Sequence, residues 1–69
     1  MNTVANVIEF DGERTARYLN GVFTGYLKDP ADSDYQRGFL ACALVLYREG
    51  LGKGADDDRL KLLDAQVSA

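Results

Sequence analysis

The chain has 69 residues, 46% of them hydrophobic and 28% charged, with a formal net charge of −3, one cysteine and no histidine. That composition excludes the disordered class, and the length allows one domain (residues 1–69) whose lone core contributes only about 3–5 kcal/mol. Cys42 has no second cysteine to pair with, a zinc site would need one thiolate plus carboxylates, and the acidic balance argues against gripping nucleic-acid phosphates. Stability must then come from tight helix packing or from a partner chain.

Residues 1–10 contain no Lys or Arg and no long apolar region, so a secretory signal is not expected. The longest apolar run, residues 39–47, is nine long against the roughly 20 needed to span a bilayer. The expected location is cytoplasmic, with no membrane partner. Val4, Ile8 and Phe10 alternate with Val7 and Glu9, which suits a short strand over 4–9. An extended arm anchored by Ile8 and Phe10 suits the same residues, and the two readings stay open.

A first helix is expected over 12–28. Asp11 is a good N-cap, and Glu13 meets the positive end of the helix dipole. Ala16, Leu19, Phe23, Tyr26 and Leu27 then form one stripe, opposite Arg14, Arg17, Asn20, Thr24 and Lys28. Gly21 and Gly25 cost about 1 kcal/mol each inside a helix, and close approach of another backbone is the expected compensation. Pro30 forces the break at Asp29. Ser33 followed by Gln36 fits a capping box that opens a second helix. A connection this short makes the two helices an antiparallel hairpin.

The second helix, expected over 34–50, is apolar nearly all round. Tyr35, Phe39, Cys42 and Leu46 form one stripe; Leu40, Leu44, Tyr47 and Leu51 form another on roughly the opposite side; Gly38, Ala41 and Val45 line a third sector. The first helix can cover one stripe only. Gly50, Gly52 and Gly54 then end the helix and make a joint, with Gly50 or Gly52 in the left-handed position. A third helix is expected over 57–67, with Leu60, Leu63 and Val67 as its narrow apolar stripe. At about ten residues it must dock to form.

None of the chemistry-bearing residues makes a catalytic or metal pattern. Asp56, Asp57 and Asp58 lack the glycine and glutamate spacing of a calcium loop, and carboxylates at a helix start are favoured by its dipole. Cys42 has no base to activate it and sits between Ala41 and Ala43, which reads as a buried small apolar residue. Lys53 precedes Gly54 where a phosphate loop needs Ser or Thr. Arg14, Arg17 and Tyr18 are the one grouping that could hold a planar anion such as a nucleotide, by stacking and charge.

The fold class expected is all-α: the hairpin, a short C-terminal helix and an N-terminal arm or strand, assembled as a dimeric helical bundle. The third helix is too small to shield Leu40, Leu44, Tyr47 and Leu51 together, so these are taken as the oligomer interface, although spacing does not decide which stripe meets the partner. The expected function is a non-enzymatic homo-oligomeric protein acting through protein–protein contact, with itself and another protein as partners and no cofactor. The alternative is a small acidic inhibitor or nucleotide-signal sponge of bacteriophage type.

Overall fold

A computed structural model of the protein describes residues 11–69, about three-quarters of them helical and none in a strand. The expectation for residues 4–9 lies outside the described residues. Helix α1 runs Gly12–Lys28, α2 runs Asp34–Val45 and continues into a π-helical turn at Leu46–Gly50, and α3 runs Arg59–Ser68.

Local chemistry fixes the ends. The Asp11 carboxylate accepts the Arg14 N–H at 3.0 Å, which starts α1 and lowers the Asp11 pKa. The Ser33 hydroxyl accepts the Gln36 N–H at 3.1 Å. The Gln36 side chain returns to the Asp32 N–H at 3.0 Å, so the expected reciprocal box reaches one residue earlier than Ser33. The far end of α2 loosens to i→i−5 bonding, with the Leu51 N–H donating to the Leu46 carbonyl at 2.9 Å. Gly52 (φ 66°) and Gly54 (φ 83°) then turn the chain back. Asp57 accepts the Arg59 N–H at 3.1 Å, so α3 starts at Arg59 and not at 57.

The core is Ala16, Leu19 and Phe23 of α1, Leu40, Ala43 and Leu44 of α2, Tyr47 of the π turn, and Leu60 and Leu63 of α3. Phe23 meets Tyr47 edge to face, with ring centroids 5.1 Å apart. Helix α3 packs against both α1 and α2. Polar ties fasten it at each end. Arg59 donates to the Asn20 side chain at 2.7 Å, and Gln66 both donates to the Tyr26 carbonyl and accepts from the Ala31 N–H, each at 2.9 Å.

Here the structure corrects the sequence reading. Leu40, Leu44 and Tyr47, taken as the oligomer interface, lie inside a single chain at 0%, 3% and 7% exposure, with Leu51 half-buried against them. The third helix shares in covering them, with its two fully buried leucines in the same cluster and Val67 packed against it. Gly21 and Gly25 have no backbone pressed against them: a Cβ at either would meet nothing within 4 Å. Cys42, read as buried, is exposed.

Candidate interaction surface

With one side of α2 spent on the core, the remaining apolar residues of that helix and its π turn are only partly covered by the described residues. Tyr35 is 83% exposed, Val45 59%, Leu46 41% and Phe39 39%, and Cys42 lies open among them. These residues recur every three or four positions, so they share one face of the helix. The face is smooth where its small residues fall: Gly38, Ala41, Cys42 and Gly50 line a shallow, almost wholly apolar groove with Val45 and Leu46. A second shallow groove joins Phe39, Cys42 and Leu46 to Tyr18 and Thr15 of α1.

Charges stand at its margins. Arg37 holds Asp34 at 2.6 Å on one side. Arg48 grips Asp64 of α3 through two parallel bonds of 2.8 Å. That hydrogen bonding holds the Asp64 carboxyl below its usual range and pushes Arg48 up. Behind the core, Arg59 binds Asp57 through Nε at 3.0 Å, which likewise lowers Asp57 and raises Arg59. Asn20 joins this group to Tyr47, donating to its hydroxyl at 3.4 Å. Arg48 and Asp64, with Glu49, border the strip on its Val45 side, while the Arg59–Asp57 pair lies at the start of α3.

The grouping of Arg14, Arg17 and Tyr18 does not form a pocket. Both arginines are exposed, Arg14 stands 3.9 Å from Asp11, and Tyr18 shares its groove with Phe39 and Leu46 in place of either arginine. The groove beside Gly21 and Gly25 is lined by Asp29 and Asp32, the wrong sign for an anion. No cluster of three or more His, Cys, Asp or Glu converges among the described residues. No described helix is long and apolar enough to cross a membrane.

Sequence reasoning identified Tyr35, Phe39, Cys42 and Leu46 as one stripe and assigned the contact to the other. It missed Val45 and Gly38 as members of the same face. The available signal was angular, since both lie within a third of a turn of Cys42. Comparison with known protein families, characterised proteins and solved structures found no match.

Proposed function

We propose that this is a non-enzymatic protein that acts through protein–protein contact, self-associating as a homodimeric helical bundle in which the α1–α2 unit is an antiparallel hairpin. The observation that supports the reading is the face of Tyr35, Phe39, Cys42, Val45 and Leu46, each left at least 39% exposed or, for Cys42, exposed. An apolar strip of this continuity is what protein contact surfaces look like, whereas singly scattered exposed residues are ordinary. Burying a large apolar side chain is worth about 1.5–3 kcal/mol, a large share of what a domain this small has in hand. The acidic-sponge alternative lacks an aromatic slot ringed by cations, and the contact reading is preferred for that reason.

Two adjacent residues test it by opposite outcomes. Val45→Lys places a charge on the open face, and the variant should stay helical by circular dichroism while light scattering drops from twice 7.6 kDa to one chain mass. Leu44→Glu places a charge in the core and should unfold the chain. A folded wild-type monomer at 100 µM sinks the proposal.

A further inference from the structure

We infer that the occupant of this face is the same face of a second copy, laid antiparallel across it with the two-fold axis passing at Cys42. The inference rests on the reading above and specifies its geometry. Its ground is the way the face is composed about its middle. Phe39 and Val45 lie three residues to either side of Cys42, and Gly38 and Leu46 lie four to either side. In an antiparallel pair related by a two-fold axis, residues at equal heights on opposite sides of the centre share a layer. Phe39 then lies against the partner's Leu46, Gly38 lies beneath the partner's Val45, and Cys42 meets the partner's Cys42. Bulk therefore falls on one flank and its absence on the other. Gly38 supplies the room, since nothing stands within 4 Å of where its Cβ would be. Cys42, a small residue, sits where the helices come closest.

Charge selects the direction. The strip between Tyr35 and Leu46 carries none, so nothing on it opposes a copy of itself. Glu49 lies in the π turn that ends the helix, about 10 Å from Cys42 along its axis. Antiparallel pairing sets Glu49 over the start of the partner helix, where the dipole favours an anion and Arg37 already pairs the Asp34 carboxylate at 2.6 Å. Parallel pairing sets Glu49 on Glu49. A foreign partner has no such reason to match the spacing about Cys42.

The test uses the full chain. Under diamide, two Cys42 thiols give up two protons and two electrons to the reagent, and a disulfide-linked dimer should form at a rate independent of protein concentration once the wild type is dimeric by light scattering. In a Cys42→Ser background, Phe39→Cys chains mixed with Leu46→Cys chains should link to each other at least tenfold faster than Phe39→Cys links to itself. Gly38→Glu, at an open helical position where glutamate is the better helix former, should remain folded and become monomeric. A wild-type dimer whose Cys42 does not link, or in which Phe39→Cys links faster to itself, or a Gly38→Glu variant that stays dimeric, overturns this geometry and leaves the proposed function standing. A folded wild-type monomer overturns both; if its Cys42 also resists a thiol reagent, the cover is the chain's own residues 1–10.

Discussion

Gly54 shows how much a single position in a joint can carry. Its φ of 83° is in the region that side chains rarely adopt, and a Cβ there would sit 2.5 Å from Leu60 Cδ1 and 3.2 Å from the Tyr47 ring. Gly52, at φ 66°, has open space around it. Alanine at either position incurs the backbone strain, about 1–2 kcal/mol, while at Gly54 it must also displace a fully buried leucine. Gly54→Ala should therefore lower the urea midpoint clearly further than Gly52→Ala does, by roughly another 1–3 kcal/mol once converted. Equal midpoints would show that the joint does not hold Leu60 and Tyr47 in place. The run of glycines is visible in the sequence as a cap and joint. Which glycine is indispensable is not, because that depends on where Leu60 comes to rest. Cys42 was illegible for the same reason: Ala41 and Ala43 surround it in sequence, but Ala43 faces the core and Cys42 does not.

The limits of α1 could be read from Asp11 and Pro30, and those of α2 from Ser33, because caps and proline act within a few residues of themselves. Ser33→Ala removes the acceptor for the Gln36 N–H and should cost about 0.5–2 kcal/mol in urea unfolding, with the light-scattering mass unchanged. An unshifted midpoint would assign the cap to the Gln36–Asp32 bond alone. The role of α3 was much harder to read. Its leucines are few, and counting them underrates a helix that is also tied by Arg59 to Asn20 and by Gln66 to Tyr26 and Ala31, partners roughly 35 to 40 residues away in the chain. No local pattern announces such ties. Misjudging α3 offered to a partner chain the residues that α3 helps to bury.

Across the whole molecule, the carboxylates that fasten α3 set its response to acid. Asp57 and Asp64 have pKa values lowered from 3.8, chiefly by hydrogen bonds from Arg59 and Arg48. Unfolding releases them to the ordinary value, so the unfolded chain binds protons first as pH falls. Their stabilisation is fully present above pH 3.8 and lost as pH falls through the lower folded values. The urea midpoint should hold steady from pH 7 to 5 and decline below about pH 4, less steeply in Asp64→Asn. A midpoint unchanged down to pH 2.5 would mean these pairs contribute nothing to folding.

If the proposed two-fold contact forms, the position of α3 on the inner stripe of α2 has a consequence for how assembly would end. A two-fold contact uses one face per chain and closes on itself, so association stops at two. A chain whose α3 has come away bares Leu40, Leu44 and Tyr47 as well, and α2 then has two adhesive sides pointing apart. Units of that kind add to both ends of a growing stack, with no symmetry to close it. On the proposed dimer the short last helix would be the terminator of the series as well as part of the core, and cutting at the exposed Lys53 in the glycine joint should turn a dimer into an open-ended aggregate.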